Sequence, residues 1–151
     1  MVFLTEDGDL ERGFAVAGLG EVAIRCLDFP AMVAFYRDVI GLVPMEGEYS
    51  DSIAFFRIAD GVAGHTTVLA LFDKALGGSE NMVEGGTTST LHHLALSLPV
   101  DQQDAVRAWY DNLGQDYTVQ DFDWAGWRGI FTRDPDGNTV ELVAYDASLK
   151  T

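Results

Sequence analysis

The sequence is short of cysteine, of cations and of any long apolar run, and each shortage closes off a class of protein. Cys26 is the single cysteine of 151 residues, so no internal disulfide forms. It lies among apolar neighbours and reads as a small buried hydrophobe, and the expected compartment is the cytoplasm. Nine Lys and Arg stand against 24 Asp and Glu, a net charge of −15. Such a surface repels phosphate backbones and anionic membranes, so neither nucleic acid nor a membrane is an expected partner. The plain consequence of the charge is solubility; a sharper one is attraction of a cationic ligand. No stretch reaches the roughly 18 apolar residues of a membrane span, and "MVFLTEDGDLERGF" lacks the basic start and apolar centre of a signal peptide.

What is present suffices for a core: 48% apolar and 11% aromatic residues in a chain about one domain long. In "LGEVAIRC", Val22, Ile24 and Cys26 alternate with Glu21, Ala23 and Arg25, the pattern of a half-buried strand. In "LDFPAMVAFYRDVIGL", Asp28 can cap, Pro30 suits a first turn, and Met32, Tyr36, Val39 and Ile40 recur at helical spacing until Gly41. Strands are predicted near Val43 to Tyr49, Ser52 to Ile58 and Thr66 to Phe72. After the loop "GGSENMVEGGTTST", the order repeats. "LHHLALSL" alternates, "VDQQDAVRAWYDNLG" carries a cap, a stripe of Val106, Trp109 and Leu113 and a terminal Gly114, and "YTVQDFDW", "WRGIFTRD" and "TVELVAYD" supply three strands.

The predicted fold is α+β, two βαβββ modules whose curved mixed sheet surrounds a central groove. An extension over 1–18 precedes a single domain over 19–146, with module one at about 19–75, a linker at about 76–90, module two at about 91–146, and a tail over 147–151. Successive strand residues point to opposite faces, so His93 shares a face with Ala95 and Ser97, away from Leu94, Leu96 and Leu98. The same parity turns Glu21 and Glu141 toward the groove, each opposite an apolar row. One imidazole and two carboxylates there are costly unless their charge is compensated, and a divalent cation would do so. Each residue also has a plainer reading. Glu141 could pair with Arg128 or Arg133, Glu21 could be an exposed strand start, and His93 could be a hydrogen-bonded sheet histidine. With the register slipped by one, His92 takes the place of His93.

These two stretches, "LDFPAMVAFYRDVIGL" and the closing turn and strand "DPDGNTVEL", resemble those of the vicinal oxygen chelate superfamily, which includes glyoxalase I, extradiol dioxygenases and bleomycin resistance proteins. The resemblance runs from about Leu19 to Tyr145. It implies metal ligands on the first and last strand of each module: Glu21 where a His or Gln is frequent, His93, and Glu141. The fourth place falls at Leu69, and neither it nor Ala70 or Leu71 can ligate; His65 is the nearest histidine. An oxygen-rich set of this kind leans toward Mn²⁺, Mg²⁺ or Fe²⁺, with Ni²⁺ and Zn²⁺ as further candidates.

The reading that follows is a metal-dependent enzyme on a small-molecule substrate, of isomerase, lyase or dioxygenase type. The ion stabilises an enolate or alkoxide, and Glu21 and Glu141 are the catalytic carboxylates. Phe55, Arg57, Trp124, Trp127 and Arg128 are candidate substrate contacts, although surface arginines and packed aromatics are the commoner case. The competing reading is a metal-free protein of the bleomycin-resistance type that sequesters a cationic ligand. The resemblance also implies a homodimer, with the groove formed within one chain or across two.

Overall fold

The computed structural model describes residues 3–4, 6, 10–11, 18–47, 51–63, 65–74, 91 and 93–151. His92 and the expected linker at about 76–90 lie outside them. Strands β1 (Phe3–Leu4) and β2 (Leu10–Glu11) form a two-residue antiparallel pair ahead of the repeat. Module one contains β3 (Glu21–Cys26), α1 (Phe29–Ala34), β4 (Val43–Pro44), β5 (Ile53–Val62) and β6 (His65–Asp73). Module two contains β7 (Leu94–Ser97), α2 (Gln103–Leu113), β8 (Thr118–Phe122), β9 (Trp127–Arg133) and β10 (Thr139–Tyr145).

Each module folds its four strands in the same order, β3-β6-β5-β4 and β7-β10-β9-β8. In both, the first strand runs parallel to the last and the other pairings are antiparallel. The repeated element order thus corresponds to a repeated topology. The two sheets remain separate four-stranded units.

Local chemistry explains the helices. Asp28 Oδ1 accepts from the Ala31 N–H at 3.1 Å, and Pro30, which lacks an N–H, occupies the first turn. Beyond Ala34 the helix widens through Phe35–Val39, where the Ile40 N–H reaches the Phe35 carbonyl at 3.1 Å, and Gly41 ends it at φ 85°. Helix α2 starts later than its aspartate suggests. Asp101 is spent in a 3₁₀ turn over Val100–Gln102, and the Gln102 side chain makes no cap. Gly114 closes α2 in the left-handed region, as its position predicts.

Two predictions are corrected. The strand expected near Val43 to Tyr49 forms as β4 over Val43–Pro44, with the Met45 N–H still donating to the Phe55 carbonyl at 2.8 Å; 48–50 lie outside the described residues. The stripe of Val106, Trp109 and Leu113 does not become the buried face of α2. Gln103 and Tyr110 are its buried residues, while Trp109 and Leu113 stay exposed.

The main core joins the modules. Met32, Phe35 and Tyr36, from α1 and its widened turn, cluster with Ile24, Cys26, Phe56, Leu69 and Leu71 of the first sheet and with Leu94, Leu96 and Val140 of the second. Polar bonds cross the same seam. Tyr36 Oη donates to Asp134 Oδ2 at 2.8 Å, and Asp136 accepts from the N–H groups of Leu27 at 2.7 Å and Asp28 at 3.2 Å. Trp109 Nε1 donates to the Val39 carbonyl at 3.0 Å. The Asp134 to Gly137 turn is therefore a clamp on the entry to α1. Burial pushes the Cys26 thiol up to about 12, aided by Asp136 and Asp134, so it remains a neutral packing residue.

The β5–β6 hairpin ends in a strained turn. Ala63 holds φ 50°, where a Cβ crowds the backbone. Relief of that crowding exceeds the added chain entropy, so Ala63→Gly should raise stability by about 0.5–1 kcal/mol. Urea unfolding of the two proteins would check this; a loss of stability would contradict it.

Candidate functional site

The second sheet presents two faces of different character. Leu94, Leu96, Val140 and Ala144 are buried, whereas Ala95, Ser97 and Tyr145, of opposite parity, are exposed. Glu141 lies on the latter face, directly opposite Ala95 on β7 and Phe131 on β9. Its side chain nevertheless keeps only 8% of its exposure, and His93 Nε2 stands 3.4 Å from Oε2. Loss of solvent raises the Glu141 pKa, and the nearby His93 charge works in the opposite direction.

Gly129 explains how a carboxylate lies so low on the sheet. It pairs with Val143, next to the Phe131–Glu141 pair. A Cβ built on Gly129 would collide with Glu141 Oε1 and with the Phe131 ring. The carboxylate therefore fills the space of a missing side chain, with one oxygen over Gly129 and the other toward His93. Phe131 and Gly129 escaped sequence reasoning, although the parity that singles out Glu141 also selects them once β9 and β10 are paired.

Glu21 does not join this pair. Among the described residues no three of His, Cys, Asp and Glu are grouped closely enough to hold a metal ion. The physical reason is the sheet order: β3 and β7 are edges of two separate sheets, so Glu21 and His93 occupy equivalent places in different sheets. Glu21 is exposed, opposite Val68, on the face it shares with Ala23 and Arg25.

The strand registers also correct the fourth position. Ala70 pairs with Ala23 as Glu141 pairs with Ala95, so Ala70, not Leu69, is the counterpart of Glu141. Leu69 is fully buried in the core. Ala70 has no donor atom, and His65 instead lies against Gly20, where a Cβ would stand 3.2 Å from its ring.

The predicted substrate contacts separate. Phe55 and Arg57 share the Glu21 face through their pairings with Ala70 and Val68, but Arg57 is bonded to Asp60 and Phe55 packs edge-on against Phe72 at 6.4 Å. Trp127 lies on the Glu141 face of β9, with Trp124 5.5 Å from it between ring centroids. Arg128, adjacent to Trp127, necessarily points to the other face, where Asp121 receives its Nε–H at 2.8 Å. It stands on the face away from Glu141, and Arg133 donates to the Gly137 carbonyl at 3.3 Å, so neither arginine pairs with Glu141.

Comparison with known proteins places the fold. A family model described as "Glyoxalase/Bleomycin resistance protein/Dioxygenase superfamily" matches residues 18–142. Among solved structures, a lactoylglutathione lyase from Agrobacterium tumefaciens is 21% identical with a TM-score of 0.62, over 85% of this chain and 94% of that one. A glyoxalase/dioxygenase from Nostoc punctiforme is 18% identical with a TM-score of 0.63, over 90% and 99%. A fosfomycin resistance protein from Listeria monocytogenes is 19% identical with a TM-score of 0.60, over 91% and 100%. No curated protein matches the sequence. At these identities the structural likeness extends to the fold, two βαβββ modules.

Proposed function

The chain belongs to the glyoxalase/bleomycin resistance protein/dioxygenase superfamily, and from that premise we propose that it is a divalent-metal-dependent enzyme acting on a small molecule, with His93 and Glu141 as the metal ligands of this chain. The observation that carries the proposal is a carboxylate kept 8% exposed, 3.4 Å from an imidazole, on a sheet face where Ala95, Ser97 and Tyr145 are exposed. Desolvation works against the charge of Glu141. A cation between the two groups would offset that cost.

The donor chemistry fits: an imidazole nitrogen and a carboxylate oxygen suit Mn²⁺, Fe²⁺, Mg²⁺, Ni²⁺ or Zn²⁺. Two donors from one chain leave the protein's share incomplete, and Glu21 of a second copy would complete it in a homodimer. Bound there, the ion would act as a Lewis acid toward a substrate oxygen, as isomerase, lyase or dioxygenase chemistry requires. The chain's own residues supply the rest. The Phe131 ring lies beside the Glu141 carboxylate over Gly129, and Gly129 admits that carboxylate to the sheet.

Ala70 at the fourth position favours a second reading, a metal-free protein that sequesters a cationic ligand on its acidic surface. One experiment separates the two. Tag-free protein dialysed against Mn²⁺, Ni²⁺ or Zn²⁺ should retain near-stoichiometric metal. His93→Ala and Glu141→Gln should each lower affinity at least tenfold while remaining folded. Affinity should rise with pH, because the ion competes with the proton on Glu141, whose pKa desolvation raises. Metal-free wild type beside folded variants would overturn the enzyme reading.

A further inference from the structure

An aromatic row occupies the far end of the Glu141 face. Tyr145 on β10 lies directly opposite Trp127 on β9, and Phe122 on β8 lies opposite Trp127 from the other side. The turn after β8 brings Trp124 to 5.5 Å from Trp127, tilted by 55°. These rings do not pack into the core. Trp124 is 73% exposed, Tyr145 56% and Trp127 46%, so two indoles and a phenol present surface to solvent at this end of the sheet. Gly126, at φ 71°, turns the chain here, and a Cβ on it would press the Tyr145 ring at 3.0 Å.

From these rings, their exposure and the chain's charge, we infer that the Trp124, Trp127 and Tyr145 corner binds an organic cation, an alkylated ammonium group carried by the substrate. Indole and phenol faces attract cations through their quadrupoles, and tryptophan does so best. The charge is complementary, since a chain at −15 concentrates cations near its surface and repels carboxylate and phosphate ligands. Of the chain's own cations, Arg128 is held by Asp121 on the opposite face, and Lys150 has its Cβ beside Gly126.

Strand geometry sets the length of the ligand. Tyr145 is four residues beyond Glu141 along β10, a span of about 13 Å at roughly 3.3 Å per residue. Val143 and Gly129 lie between them as a low floor with no side chain on the β9 position. The site described under the proposed function would take the oxygen-bearing end of the molecule and the aromatic corner its cationic end. The inference rests on that reading for the placement of the reacting end alone.

The test uses the 151-residue chain and choline, with its uncharged isostere 3,3-dimethylbutanol and sodium chloride at matched ionic strength as controls. The chain has three tryptophans, so its indole N–H resonances form a built-in comparison. Trp109 donates to Val39 on another part of the surface and should not move. Choline should shift Trp124 and Trp127, with an affinity about tenfold above that of the neutral isostere. Trp127→Leu should abolish the response, and His93→Ala should retain it. Equal binding of choline and the isostere would overturn the inference in favour of an apolar surface. Indole shifts that follow protein concentration instead of choline would overturn it in favour of a second copy on this face. Because His93→Ala removes the proposed metal site and leaves the rings, failure of either reading is seen without the other.

Discussion

Asp134→Ala should destabilise the protein by about 3–5 kcal/mol, the largest loss expected from any single polar substitution here. Asp134 is a buried carboxylate with four donors around it. Tyr36 Oη and Asn138 Nδ2 each donate to Oδ2 at 2.8 Å, and the N–H groups of Asp136 and Asn138 donate to Oδ1 at 3.0 and 2.9 Å. Truncation removes every acceptor at once and strands the hydroxyl of Tyr36, a residue with no solvent exposure. Burial, then the charge and hydrogen bond of Asp134, raises the Tyr36 pKa, so it stays a neutral donor across the accessible pH range. The partners belong to different modules, so the loss falls on the seam between them. Tyr36→Phe alone should cost about 1–2 kcal/mol, because three donors to Asp134 survive. A double-mutant cycle by urea unfolding should then return a coupling of about 1–3 kcal/mol. Coupling near zero, or less than 1 kcal/mol lost in Asp134→Ala, would mean that the apolar core alone holds the modules together.

The second large effect is expected on the site with little on the fold. Gly129→Ala places a methyl where Glu141 Oε1 and the edge of the Phe131 ring now lie. Both obstacles are side-chain ends that can swing, so the stability loss should stay within about 1 kcal/mol. The carboxylate, however, must leave its cradle and with it the neighbourhood of His93. Metal affinity should fall by about 10–100-fold, the usual cost of disturbing what supports a ligand. Calorimetric titration of Mn²⁺ into both proteins, beside their urea midpoints, would resolve the two effects. Unchanged affinity would show that Glu141 does not act from the position described.

Much of this architecture is legible in the residues. Alternation in "EVAIRC" and "LALS" marks the strands and their faces, Asp28, Pro30 and Gly41 bound the first helix, and the repeated order of elements predicts the shared topology. Parity alone puts His93 on the face of Ala95 and Ser97, and Glu141 on the face of Val143 and Tyr145. It also separates Arg128 from Trp127, a consequence available from two adjacent letters once β9 is recognised as a strand.

The clamp at Asp134 and Asp136 was not legible. "DPDGN" announces a turn through local chemistry, but its partners Tyr36 and Asp28 stand 98 and 108 residues away, and no periodicity encodes such a meeting. The counterpart of Glu141 was misplaced by one residue for a related reason. Aligning the halves by first strands assumes equal lengths, whereas pairing of β3 with β6 selects Ala70 and leaves Leu69 in the core. What the sequence by itself determined is which side chains lie on which face of each element, since backbone geometry has a fixed period. Which faces meet was decided only by tertiary packing, because hydrogen-bond register and sheet order join strands that share no local signal. For that reason Glu141 finds His93 and the space over Gly129, and Glu21 stands on a separate sheet.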